Sequence, residues 1–289
     1  MTHIIVDTLV FGSLLAIVAL GVNLVYGLLQ FANFAHVEFV TVGAFLAYEL
    51  TRTGMPLVLA GVGSALLTAL LAAGLHLGLF RWLEHEGANS KMIASVGVAI
   101  MIRAAIPLLF GGDSHDIGGD PSVLFSLGDT EVTSLEVTIL ATTLVMMAAL
   151  HLALTRTRLG TAVRATAQNR ALATTRGINA ERVILLVWMI AGAFAAVAGV
   201  LVAMQNQVRP SMGLSLMIPV FAAATVGGLG SAYGAVAGGF LIAFVQNVAL
   251  ALDFGGFQLP TDYKDLVALV VLVTVLMIKP TGLARSATA

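Results

Sequence analysis

The sequence predicts an all-α, polytopic transmembrane bundle of eight or nine spans with a short cytoplasmic helix, and three observations lead there. Hydrophobic residues make up 59% of the 289 and charged residues only 10%, with a mean hydropathy of +1.00; an ordinary soluble domain has roughly a quarter of its residues charged. Apolar stretches long enough for a hydrocarbon core of about 30 Å recur along the whole chain. The connections between them carry charge segregated by sign, which the formal balance of -1 conceals. The chain therefore reads as one membrane domain over residues 1–289.

Taken in order, the spans lie near Leu9 to Leu28, Val37 to Leu50, Leu57 to Phe80, Met92 to Phe110, Val137 to Leu154, Val183 to Met204, Leu214 to Leu229, Gly234 to Leu252 and Leu266 to Ile278. Thr2 to Asp7 contain no Lys or Arg, so the basic start of a cleavable leader is missing and the first span is expected to be retained. The second and seventh spans are short. Short or glycine-interrupted spans are where membrane proteins break helices around a site, so re-entrant segments are the alternative to full crossings there.

Orientation follows from the arginines, because Lys and Arg near span ends stay on the cytoplasmic side. Arg156, Arg158, Arg164, Arg170, Arg176 and Arg182 follow the fifth span, with Glu181 the single acid among them, so this connection faces in. The preceding connection holds Asp113, Asp116, Asp120, Asp129, Glu131 and Glu136 without a Lys or Arg, so it faces out. Lys279 and Arg285 place the C-terminal end inside, and nine full crossings then put the start of the chain outside.

Within the segment 156–182, the stretch GTAVRATAQNRALATTRGIN favours helix and is bounded by Gly160 and Gly177 as breakers. Lacking the broad apolar face of an interfacial anchor, it is better suited to docking another protein. A solvated loop that only sets topology is the plainer alternative. Gly230, Gly234 and Gly238 repeat at intervals of four, as do Gly192 with Ala196 and Ala195 with Gly199. Such stripes let helix backbones approach in lipid, and the dense stretch Gly227 to Gly239 also suggests movement.

Polar residues near or in the spans are the candidate site. At the first junction, Asn33 and His36 are expected to tie down an irregular turn, and Glu38 to accept backbone N–H groups at the start of the second span. His36 and Glu38 are two apart and do not share a helix face, which argues against a metal pair. Arg103 sits about two turns from the outer end of its span, so snorkelling there competes with a functional role. Asn23, Tyr26, Thr225, Gln246, Asn247 and the run Gln205, Asn206, Gln207 are further candidates for lining a path.

Several function classes are excluded. There is no cysteine, hence no thiolate metal site or cysteine nucleophile. Lys91, Lys264 and Lys279 are the only lysines and none follows a glycine, so a phosphate-cradling P-loop is missing. No nucleophile elbow or zincin histidine pair is present, and no basic excess suits nucleic acid.

The stretch GVNLVYGLLQFANFAHVEFVTVGAF resembles the signature of the shorter permease type of branched-chain amino acid ABC importers. RATAQNRALATTRGINAERV is similar to that family's cytoplasmic coupling segment, and FAAATVGGLGSAYGAVAGG to its glycine-rich stretch. Tyr263, Lys264 and Asp265, then Lys279 to Leu283, match its closing elements. Val37 replaces the usual glycine between His and Glu, and Pro219 stands where a lysine is common.

The resemblance implies an inner-membrane permease working by ATP-driven alternating access beside a homologous second permease, two cytoplasmic ATPases and an extracytoplasmic substrate-binding protein. It implies no cofactor on this chain, with ATP and magnesium used by the ATPases. Arg164, Gln168, Arg170, Arg176 and Gly177 would then couple to an ATPase. Branched-chain amino acids are the implied substrates, with urea, short amides or small carboxylates as alternatives. The rivals from other classes are a self-sufficient channel or ion-coupled carrier and a membrane scaffold; a carrier would bury paired carboxylates or a histidine relay.

Overall fold

The computed structural model describes residues 2–118, 121–127, 130–252 and 260–284, so Asp120, Asp129 and Arg285 lie outside the described residues. Its helices are α1 (Thr2–Leu29), α2 (Glu38–Arg52), α3 (Leu57–Leu75, continued by a π turn His76–Phe80), α4 (Ala88–Phe110), α5 (Ser134–Arg156), α6 (Arg158–Gln168), α7 (Arg170–Thr175), α8 (Ala180–Gln205), α9 (Met212–Gly227), α10 (Ala232–Ala251) and α11 (Lys264–Ile278). Six of these are long and apolar enough to cross a bilayer, namely α1, α3 with its π turn, α4, α5, α8 and α10. The chain is thus a polytopic helical membrane protein.

Helix α1 runs through the middle, with Leu14 to Leu20 almost wholly buried. Its Thr2 end meets the last turns of α10 and the start of α11: Asn247 Nδ2 donates to Thr8 Oγ1 at 3.3 Å, and Lys264 Nζ lies 5.3 Å from the Phe11 ring centre. Its other end lies among the ends of α5, α6, α9 and α11, the face bearing the arginines. That face is the one the charge rule expects to be cytoplasmic.

Helix α2 is short because it starts inside the bundle. Gln30 takes a left-handed conformation, φ 53°, and its side chain donates to Tyr26 O and Gly27 O, closing α1 on its own carbonyls. The chain then turns back through a 3₁₀ turn, Phe34–Val37, started by Asn33, whose Oδ1 accepts from Ala35 N at 3.2 Å. His36 ends against Gly21, about 12 Å from the end of α1 at 1.5 Å per residue. The chain thus returns into the bundle as a non-helical segment, and the 15 residues of α2 need only cover the remaining depth. Helix α9, of 16 residues, begins at the same level, with Gly213 beside Val37 O, and runs the opposite way.

Small residues set the crossings. A Cβ on Gly192 of α8 would lie 2.8 Å from Ala72 Cβ of α3, and one on Gly43 of α2 would lie 2.6 Å from Ala196 Cβ of α8. Gly199 presses on the Val40 carbonyl of α2. Gly227, Gly234 and Gly238 join α9 to α10 backbone to backbone. Gly230 departs from the expected stripe: it lies in the turn between these helices with φ 85°, and Gly228 has φ 105°. Both supply the left-handed conformations that turn needs.

Two further departures concern local chemistry. Gly160 lies within α6 and ends nothing; its missing side chain admits the backbone of Leu154. The break falls at Asn169, which divides the cytoplasmic segment in two and caps α7 by accepting from Leu172 N at 2.9 Å. Gly177 does end α7, with φ 83° and the paired bonds Ile178 N to Ala173 O and Gly177 N to Thr174 O that satisfy orphan carbonyls. The acidic connection departs from the all-α expectation and holds a two-stranded antiparallel hairpin, Val123–Leu127 with Thr130–Thr133.

Gly199→Ala is expected to lower stability by about 1–3 kcal/mol through overpacking against α2, whereas Gly97→Ala, which meets nothing within 4 Å, is expected to be neutral. Thermal unfolding of the two purified variants in detergent compares them directly.

Candidate functional site

The polar junction at the start of α2 is built around one carboxylate. Glu38 is fully buried, and Arg103 of α4 donates Nε to its Oε1 at 3.1 Å and Nη2 to the same oxygen. Glu38 occupies the first turn of α2, and a Cβ on Gly213, in the first turn of α9, would lie 2.8 Å from Oε2. Gly213 N donates to Thr41 Oγ1 at 2.8 Å. The carboxylate therefore sits between the positive ends of two helix dipoles and a guanidinium, the surroundings a buried anion needs. Arg103 reaches inward to this pair and does not snorkel to the outer surface, which corrects the competing expectation. The expected cap is not made: Glu38 accepts no backbone N–H among the described residues, Arg103 alone bonds its Oε1, and Oε2 is left to the dipoles.

The neighbours of Glu38 are packed parts of the same junction. Asn33 and His36 are buried, and the His36 ring fills the space left by Gly21 and meets Phe39 edge-on at 5.9 Å. Phe34 N donates to Ser95 Oγ of α4 at 3.1 Å. Sequence reasoning missed Ser95 and Thr41, small hydroxyls in apolar helices that carry no signal of their own. The isolated charge of Arg103 did signal a partner, but Glu38 is 65 residues away.

Two cavities open at opposite ends. The cytoplasmic one, about 610 Å³, brings together Asn23, Tyr26 and Thr225 with Arg164 and Gln168. Asn23 is pinned: its Nδ2 donates to Gly228 O at 3.1 Å and Ser231 O at 2.9 Å, clamping the glycine turn. The closing residues clamp it too, since Leu283 N donates to Val226 O at 2.8 Å and Ala284 N to Gly227 O at 3.0 Å. The outer cavity, about 700 Å³, is lined by Gln205, Asn206, Gln207 and Asn247 and by the charged Asp7, Arg209 and Lys264. Asn33, His36, Glu38 and Gln246 line neither cavity. Gln246 instead donates Nε2 to Lys264 O at 2.8 Å, fixing the start of α11.

The cytoplasmic segment is braced to the bundle. Arg170 of α7 pairs with Glu84 in the α3–α4 connection, Arg81 of that connection pairs with Glu181 at 3.1 Å, and Arg164 Nη1 donates to Leu154 O of α5 at 2.6 Å. Arg176 and Leu172, the latter 57% exposed, point away from the bundle.

Residues 4–276 match the family model described as the branched-chain amino acid transport system / permease component. The chain is 31% identical to the high-affinity branched-chain amino acid transport system permease protein BraD of Pseudomonas aeruginosa, over 96% of this chain and 94% of that one. It is also 31% identical to the corresponding protein LivH of Escherichia coli, over 94% and 91%. Among solved structures, PsaBC from Streptococcus pneumoniae in complex with Fab has a similar fold, with a TM-score of 0.53, 13% identity and coverage of 96% and 93%.

Arg103→Leu is expected to destabilise the protein by about 3 kcal/mol, because it leaves the Glu38 carboxylate buried without its partner. Removing both charges, Glu38→Met with Arg103→Leu, should restore most of that loss. Unfolding midpoints of the single and double variants in detergent check both statements.

Proposed function

The chain belongs to the family of branched-chain amino acid transport permease components, and on that footing we propose that it is the membrane subunit of an ABC importer for branched-chain or similarly small apolar amino acids. Its partners in this reading are a homologous second permease, two cytoplasmic ATPases that consume ATP and magnesium, and an extracytoplasmic binding protein. The chain performs no chemistry of its own. It supplies an equilibrium between conformations open to opposite sides, biased by nucleotide on one side and by the loaded binding protein on the other.

The observation that carries this reading is the strutted cytoplasmic segment. Helix α7 offers Leu172 and Arg176 outward, the pattern of an apolar knob with a charge beside it. Behind that surface, the Arg170–Glu84 and Arg81–Glu181 pairs lead to the α3–α4 connection, and Arg164 leads to the end of α5. Movement of a docked ATPase is thereby delivered to three spans at once. The cytoplasmic cavity lies between α1, α5, α6 and the facing ends of α9 and α10, and His151 of α5 meets Tyr233 of α10 at 2.5 Å on its lining. Separation of α5 from α10 breaks this bridge and widens the cavity toward the cytoplasm. Gly227, Gly234 and Gly238 provide a smooth surface on which α9 and α10 adjust.

Reconstituted alone in vesicles, the chain should accumulate no leucine; with its partners and ATP it should. In the assembled importer, Arg170→Glu places two acids together and is expected to lower uptake roughly tenfold, a typical coupling energy. Adding Glu84→Arg should recover most of it. Uptake that is untouched by Arg170→Glu would remove the strut from the mechanism, and failure of the charge swap would move Arg170 onto the ATPase surface.

A further inference from the structure

The outer cavity carries charge of both signs at the ends of five helices, which neither lipid contact nor helix packing calls for. Asp7 comes from α1, Arg209 from the α8–α9 connection and Lys264 from the start of α11. Each is placed by other contacts. Lys264 lies over the Phe11 ring, and its backbone carbonyl is held by Gln246. Asp7 Oδ2 lies 2.5 Å from His3 Nδ1 at the exposed lip, and a carboxylate has lone pairs for further donors. Arg209 Nη2 donates to Gln207 Oε1 at 3.1 Å, leaving other N–H groups of its fork for an acceptor. The floor is apolar, with Leu14, Val202, Met212 and Leu216.

An acid from α1, bases from α11 and from the α8–α9 connection, and a hydrocarbon floor match a small zwitterion with an apolar side chain. We propose that this cavity is a transit site for an α-amino acid, holding its ammonium at Asp7, its carboxylate at Lys264 and Arg209, and its side chain on the Leu14–Leu216 floor. The inference rests on the importer reading and sharpens it, because urea and short amides bring no charge for this site to use. Its place in the fold suits transit. The floor residue Met212 precedes Gly213 at the Glu38–Arg103 junction, and the buried stretch Leu15 to Ala19 of α1 separates the cavity from its cytoplasmic counterpart. A ligand released from the outside would rest here until the bundle changes state.

The test uses the assembled importer in nanodiscs without the binding protein, so that only the membrane complex can hold ligand. Radiolabelled leucine is the probe, alongside the keto acid of leucine, which lacks the ammonium, and isoamylamine, which lacks the carboxylate. Asp7→Asn should weaken leucine and isoamylamine about tenfold, as befits the loss of one charge-assisted hydrogen bond, and spare the keto acid. Lys264→Gln should do the converse, and Lys264→Arg should restore carboxylate binding. A uniform loss of all three ligands in either variant would overturn the proposal, since a structural role alone gives that pattern. No leucine binding by a complex that still imports leucine with its binding protein would also overturn it. Failure of the full system to import leucine would count against the importer reading itself.

Discussion

A carboxylate cannot be buried in an apolar bundle without compensation, and the way Glu38 is compensated organises the middle of this protein. Three elements supply it: the guanidinium of Arg103 from α4, the first turn of α2 and the first turn of α9. Because the last two are helix N-termini, both short helices must begin near one point. One runs outward and the other toward the cytoplasm, so the depth at which they begin follows from the charge they share. Gly213 is required there because a side chain would collide with the carboxylate it helps to stabilise.

Around that point the bundle is held by close backbone contact. Lipid offers no hydrophobic drive for helices to associate, so shape must do it, and α8 meets α2 and α3 where Gly192, Ala196 and Gly199 leave room. At the cytoplasmic end the polar bonds are backbone and amide. Asn23 and the closing residues Leu283 and Ala284 satisfy the carbonyls left over at the end of α9 and in the turn after it. The likeness of these separate sequence stretches to one family therefore has a physical basis, since they touch one another.

The nine apolar segments were legible from hydropathy as helices, because hydropathy depends on composition within a window. What was not legible depends on pairing across the chain. Arg103 announced itself as a charge in a span, yet nothing local assigns it to Glu38. Gly160 and Gly230 show the limit of reading glycine by rule, since one stands inside a helix and the other outside, reversed from expectation. The hairpin had a signal in the apolar run Val123 to Leu127 before Gly128 and Asp129, hidden by the acidity of the connection around it. Among path candidates, Asn23, Tyr26 and Thr225 do converge on one cavity, whereas Asn33, His36 and Gln246 are consumed by packing and internal hydrogen bonds.

The non-helical segment between α1 and α2 has a mechanical implication. Non-helical backbone at this depth invites description as a hinge, but its peptide groups have no water to turn to. Gln30 and Asn33 bond to nearby backbone, Ser95 accepts the amide of Phe34, and the His36 ring is wedged against Gly21. The segment behaves as a keystone, fixing α1, α2 and α4 into a single rigid body.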